Sequence, residues 1–353
     1  MKPLGGVPAG SVQVVGRFAS LRTWWALLTA LLGLAALLPA LAWAHPSGLP
    51  ELRARASVTF DNSDIWLVWD FHESIVIGIA VMIAAYAWAV TKGRVRYGWS
   101  SVPASRSQIQ LFATSVVLLY LSLDGPLHHL ADELLFCAHM LQHMLLQLIW
   151  APILVLAIPE WLWRVLYNLP GCKRFADFVT KPWMAFWLFN GVIVGWHIPW
   201  MYNLALTTHE FHILQHLMFM STAVILWFVV IGPLPELRAS YPRRMVFVVV
   251  NMFAMKALGL SLSMAEDIWY TFYASQPRAW GIDVMTDQQL GGLLMWMPGG
   301  GLLWFGLGKV FWQWVRQGTP DKGLTGVASI DAKRKLAGMT ETRDPAMVRL
   351  GEG

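Results

Sequence analysis

Seven stretches of this chain are apolar for long enough to cross about 30 Å of hydrocarbon, and that constrains the fold more than any motif does. They run approximately from Ser74 to Val90, Ile109 to Leu123, Leu134 to Ile158, Trp183 to Trp200, His209 to Ile231, Met245 to Met264 and Gln288 to Trp312. The second is short and must tilt little or borrow flanking residues. Lipid offers no partner to a backbone N–H or C=O group, so each stretch must be helical. The expected fold is therefore all-α, a polytopic membrane helix bundle of about seven transmembrane helices. Composition agrees: 56% of residues are apolar and 13% charged, against roughly 25% charged in an ordinary soluble domain. Most of the 21 Trp then read as anchors at the boundary between headgroups and hydrocarbon.

The first 44 residues read as a secretory signal. Arg17 and Arg22 precede an apolar run from Trp24 to Trp43 that ends in the small-x-small pattern Ala42-Trp43-Ala44. Cleavage there would start the mature chain at His45; the run is long for a signal, so an uncleaved anchor is the alternative. Residues 45–73 form an outer segment, 74–316 the transmembrane domain, and 317–353 a basic, disordered cytoplasmic tail. Orientation follows from Lys and Arg. With the first span entering from outside, the inner stretches and tail hold nineteen basic residues, among them Lys92, Arg164, Arg174, Arg238 and Arg244. The outer stretches hold three, Arg53, Arg55 and Arg278. The N-terminus is expected outside and the C-terminus in the cytoplasm of a bacterial plasma membrane. Topology thus accounts for the basic pI, and nothing suggests a nucleic-acid partner: the charges are dispersed and lack interleaved aromatic residues.

With this topology all ten histidines lie on the outer side or in the outer half of a helix. His139 and His143 open the third span, and His209, His212 and His216 open the fifth. At 100° per residue, His139 and His143 are about 40° apart, and the second set falls within about 60°. Each set makes one stripe, within "HMLQH" and "HILQH". Both spans run outside to inside, so the stripes share a depth and can face one another. His197 closes the fourth span, and the turn at Pro126 can fold His128 over the His139 stripe. Ionisable groups within a membrane are costly and usually functional, so these residues are the candidate metal ligands. Gln142 and Gln215 are placed to orient imidazoles or to hydrogen-bond between helices.

The spacing resembles the HExxH of zinc peptidases, but Met140 and Ile213 occupy the position of the required Glu, which argues against a peptidase. Imidazoles without fixed carboxylates suit Cu, Zn or Fe, and copper binds most tightly in the divalent series. Met264, Met295 and Met297 are candidate thioether ligands for Cu(I), although Met also fills gaps in any apolar bundle. Cys137 points away from its histidine neighbours. Asp124, Asp132 and Glu133 read as a turn residue and first-turn acids, and Asp287 as the cap of the seventh helix. Gly291 and Gly292 permit close helix approach, Pro298 with its three following glycines interrupts the helix, and Lys256 is a buried charge without an obvious partner.

Four ordered motifs carry a family resemblance: "DGPLHHLADELLFCAHMLQHMLLQLIWAPILVLAIP", "GWHIPWMYNLAL", "HEFHILQHLMF" and "DQQLGGLLMWMPGG". From about Asp70 to Trp314 the chain resembles the multi-span CtaG family, the caa3-type CtaG cytochrome c oxidase assembly factors. A different, single-span copper protein of the same name shows no similarity. The resemblance implies a role in maturing haem-copper oxidases through copper delivery. Members commonly carry Ser or another small residue at the position of Cys137, which argues against that thiol as a ligand.

Together these readings predict a non-enzymatic assembly factor that binds copper at His139, His143, His212 and His216, with His128, His197 and His209 auxiliary. Its expected partners are cytochrome c oxidase subunits, a periplasmic copper donor and membrane lipid. After cleavage, the amine and imidazole of His45 would offer a further copper site. Two alternatives stand beside this. A membrane cytochrome would ligate haem through His on the third and fifth helices. A copper or proton-coupled transporter would need polar groups continuing inward, and those are sparse in "LMFMSTAVILWFVV".

Overall fold

The computed structural model describes Trp69 and residues 72–318. The expected signal, His45 and the tail lie outside the described residues. The described part is all helical. Its main helices are α1 (Glu73–Arg96), α2 (Arg106–Leu123), α3 (Phe136–Ala157), α4 (Pro182–Trp196), α5 (His209–Ile231), α6 (Tyr241–Ser263), α7 (Val284–Trp296) and α8 (Pro298–Gly318).

Among the described residues six helices are long and apolar enough to cross a membrane, one fewer than the seven expected. The difference is α4, whose 15 residues rise only about 22 Å. Pro182 sets its start, and His197 ends its backbone ladder by donating to the carbonyls of Ile193 and Val194. The seventh apolar stretch is broken at Met297, because Pro298 has no N–H to continue the ladder of α7. α7 and α8 together nevertheless make one span, Val284–Arg316.

Burial ranks the helices. α3 and α5, the two histidine-bearing helices, are the most buried spans, and α1 is the least. The core is built from Phe136, Met140, Phe189, Phe219, Leu226 and Met255 among others, with Tyr202, Tyr270 and Tyr273 closing it at the histidine end. Two buried amides deeper in the bundle are tied off. Asn190 donates to Asn251 Oδ1 (2.8 Å) and to Phe186 O, and Asn251 donates to Phe247 O. They act as glue between α4 and α6.

α6 and α7 meet backbone to backbone. A Cβ placed on Gly292 would lie 2.7 Å from the carbonyl oxygen of Gly259 and 2.6 Å from Ser263 N, so only glycine fits. Gly291 likewise makes room for the Phe136 ring.

Asp287, expected to cap α7, does something else. The cap is Asp283, which accepts from the backbone of Met285 and Thr286. Asp287 is fully buried and accepts from Phe136 N and Cys137 N, both at 2.9 Å. It also pairs with Arg278 at 3.1 Å. A carboxylate on α7 therefore caps the N-terminus of α3, where a negative charge is favoured.

Candidate metal centre

The local chain path sets the site. After α2, a short helix (Pro126–His129) leads into a wide turn over Leu130–Leu134, closed by Leu135 N donating to Leu130 O at 2.8 Å. Leu135 is extended, and α3 begins at Phe136 under the Asp287 cap. Asp132 and Glu133 thus belong to the wide turn and not to the first turn of α3. The extra residue in that turn brings Asp132 among the imidazoles.

Two triads of ligand atoms result, each with all its atoms within 4.8 Å of one another: His139, His143 and His216, and Asp132, His212 and His216. They share His216. The rings of His139 and His143 are 4.3 Å apart, those of His143 and His216 5.0 Å, and those of His139 and His212 5.5 Å. Across the second triad His212 Nε2 lies 2.9 Å from His216 Nε2, and His212 Nδ1 lies 3.2 Å from Asp132 Oδ2. Ligands at about 2.0 Å from a tetrahedral ion sit roughly 3.3 Å apart, so small ring rotations would close either triad.

The nitrogens that face inward are bare. His139 Nε2, both ring nitrogens of His143 and His216 Nδ1 are buried without a hydrogen-bond partner. Leaving such a group unsatisfied costs about 1–3 kcal/mol, and native proteins rarely cluster these defects. A bound cation would satisfy one lone-pair nitrogen on each ring; the second nitrogen of His143 is an N–H donor that a cation cannot engage.

Surrounding groups set the ring orientations. Tyr273 Oη donates to Ala131 O (2.6 Å) and accepts from His139 Nδ1 (3.1 Å), which leaves His139 Nε2 as the lone-pair atom. Burial, and then the Asp132 carboxylate, hold the Tyr273 hydroxyl well above its ordinary pKa, so it remains a neutral donor. Asp132 Oδ2 lies 3.2 Å from His212 Nδ1 and 3.3 Å from His128 Nε2. This is the carboxylate–histidine arrangement that orients metal ligands. Gln142 Nε2 donates to Ser122 O and to His128 Nδ1 (3.0 Å). Gln215 is buried, and neither of its amide atoms has a partner.

Of the seven sequence-predicted residues, four supply the imidazoles of the triads. His128 joins them at the rim: its ring stacks on His212 at 6.3 Å and is held by Gln142 and Asp132. His197 is outside both triads. Its Nδ1 donates to Ile193 O at 2.7 Å, and its Nε2 lies 3.5 Å from Met140 Sδ. His209 is exposed at the wall of a cavity of about 240 Å³ between α1, α2 and α5, which it shares with His72, His128, Asp132, His212 and His216. The thioethers predicted from sequence do not reach the cluster. Met264 and Met297 are 71% and 55% exposed, and Met295 is packed in the core. The thioether beside an imidazole is that of Met140, which sequence reasoning used only to exclude a peptidase. Asp132 and Tyr273 were missed as well. His72 adds an outward step: its Nδ1 and backbone N–H both reach Asp124 Oδ1, and its ring meets the edge of His128 at 5.0 Å.

Two curated relatives, an uncharacterised protein of Mycobacterium bovis and one of Mycobacterium tuberculosis, are each 25% identical to this chain over 253 residues, covering 65% of it. The match takes in 36% of each relative's length, so the chain spans only about a third of those proteins. No solved structure matches. Residues 84–317, which hold α2 to α7, α8 but for its last residue, and every residue of both triads, match the family described as cytochrome c oxidase caa3 assembly factor (Caa3_CtaG). The chain belongs to that family.

Proposed function

We propose that this protein binds copper at the histidine cluster and delivers it to a cytochrome c oxidase during assembly. The observation that carries the reading is the set of buried, unpartnered imidazole nitrogens gathered within 4.8 Å. The family description, which names cytochrome c oxidase assembly, supports the oxidase as the recipient. An all-imidazole triad of His139, His143 and His216 suits a borderline-soft ion and favours copper among the divalent metals. The Asp132–His212–His216 triad is the outer position, nearer the cavity that holds His128, His209 and His72. Because His216 belongs to both, an ion passes between them by exchanging ligands one at a time. Transfer to an oxidase subunit, and receipt from a periplasmic donor, follow by the same exchange without covalent catalysis. His197 stands beside the inner triad, its ring and that of His143 both packed against Phe219.

We place the cluster at the outer face of a bacterial plasma membrane, with the N-terminus outside and the C-terminus cytoplasmic. α4 serves as the seventh crossing. α3 and α5 both begin at the cluster, and α4, ending at His197 beside Met140, returns the chain to that level between them. Residues 1–44 act as a signal or anchor and 45–73 as an outer segment. Residues 74–316 are the membrane domain, and 317–353 the cytoplasmic tail.

Two features weigh against the alternatives. Haem is poorly accommodated, because the cavity beside the cluster, about 240 Å³, lies below the roughly 300 Å³ at which small-molecule pockets begin. Transport is not favoured by the deeper Asn190 and Asn251 amides, which are hydrogen-bonded to each other and to backbone instead of standing open to a passing ion. The test is complementation. In cells deleted for the gene, the parent restores copper content and activity of the oxidase, whereas His143→Ala at equal membrane abundance does not. Equal restoration by both proteins would refute the reading.

A further inference from the structure

At the end of the bundle opposite the histidines, a second cavity of about 320 Å³ is lined by Ile231, Arg238, Tyr241, Arg244, Gln313 and Arg316. Among the described residues that line it, three of six are arginines and none is acidic. The acid nearest in sequence, Glu236, is engaged by Arg164 at 2.6 Å.

Arg244 is the unusual member. It is 3% exposed, and its Nε is buried without a partner. One of its Nη atoms donates to the Val230 carbonyl, and its guanidinium lies 5.1 Å from the Tyr241 ring centre. Arg238 is held at the rim by the carbonyls of Gly232 (2.8 Å) and Pro233 (3.0 Å). Arg316 stacks over Trp312 at 4.7 Å. These contacts are to neutral groups, so they orient the guanidinium groups without neutralising them. A buried cation without a counter-charge is costly, and three together repel one another. The first turn of α6 adds the positive end of a 23-residue helix to the same space.

We propose that this cavity binds a phosphate group, supplied by an anionic lipid headgroup or by free inorganic phosphate. Arginine matches phosphate geometry through paired N–H donors, and basic pockets between helix ends are suited to lipid headgroups. Phe311, Trp312 and Trp314, all exposed on α8 beside Arg316, offer an apolar wall for acyl chains. The site is independent of the copper reading and uses none of its residues.

The test is native mass spectrometry of the full chain in detergent. Phosphatidylglycerol, phosphatidylcholine and inorganic phosphate are titrated separately into the parent and into Arg238→Gln, Arg316→Gln and Arg244→Gln. Arg174→Gln, an exposed arginine elsewhere, is the control. The expected result is a single retained phosphatidylglycerol per chain, weakened about tenfold by Arg238→Gln or Arg316→Gln and unchanged by Arg174→Gln. Binding of inorganic phosphate with the same variant pattern, and no retained lipid, would support the site and identify the free anion as its source. Equal retention of phosphatidylglycerol and phosphatidylcholine, or no weakening in the two rim variants, would overturn the proposal. The rim variants decide the matter even if Arg244→Gln fails to fold, and copper content should be the same in all that fold.

Discussion

At the scale of single residues, the site depends on which imidazole nitrogens are held and which are left bare. Tyr273 fixes His139 through Nδ1, so Tyr273→Phe should weaken copper binding about 10–100-fold while the bundle keeps its melting temperature within a few degrees. Competition with a chelator of known affinity measures the first effect, and a thermal scan the second. Asp132→Asn keeps the side-chain size and removes the charge beside His212 and His128. It should weaken binding by a similar factor; unaltered affinity would make Asp132 a packing residue. The two stripes were legible in the sequence because helical spacing alone puts residues four apart on one face. Asp132 was not legible, because the turn that aims it carries an extra residue and departs from that arithmetic. Tyr273 was hidden for a different reason: it lies 134 positions from His139, beyond the reach of any local pattern.

At the scale of elements, α3 is the part that must be placed accurately, since it carries two ligands and is fixed at its head by a carboxylate from α7. Removing that charge leaves two helix N–H groups without their acceptor and Arg278 without its counter-charge. Asp287→Ala should therefore cost about 3–5 kcal/mol, whereas Asp283→Ala, which removes an exposed cap, should cost about 1 kcal/mol. Denaturation in detergent, comparing the two variants with the parent, separates a misplaced cap from a true one. Gly292→Val tests the contact between α6 and α7. With backbone atoms under 3 Å from the added carbon, it should destabilise the bundle by about 1–3 kcal/mol. The sequence marked Gly292 correctly because a glycine pair in an apolar helix has few other uses. It misassigned Asp287 because an acid near a helix start looks like that helix's own cap, and the true recipient is 150 positions away in the chain.

At the scale of the whole molecule, two chemistries occupy opposite ends of one bundle: imidazole nitrogens without hydrogen-bond partners near the heads of α3 and α5, and, among the described residues, guanidinium groups lined up without a carboxylate where α5 ends and α6 begins. The all-helical class followed directly from apolar length, because lipid leaves a spanning chain no other solution. The number of long helices did not follow, since hydropathy reads the Trp183–Trp200 stretch as continuous while the backbone turns at His197. The most direct measurement of the central claim is the copper content of the detergent-purified full chain after loading under reducing conditions. It is set beside a variant with His139, His143, His212 and His216 changed to Ala, both proteins eluting as the same folded species. Copper retained by the parent and lost from the variant is the predicted result. A parent that takes up no copper, or a variant that keeps as much as the parent, would contradict the account.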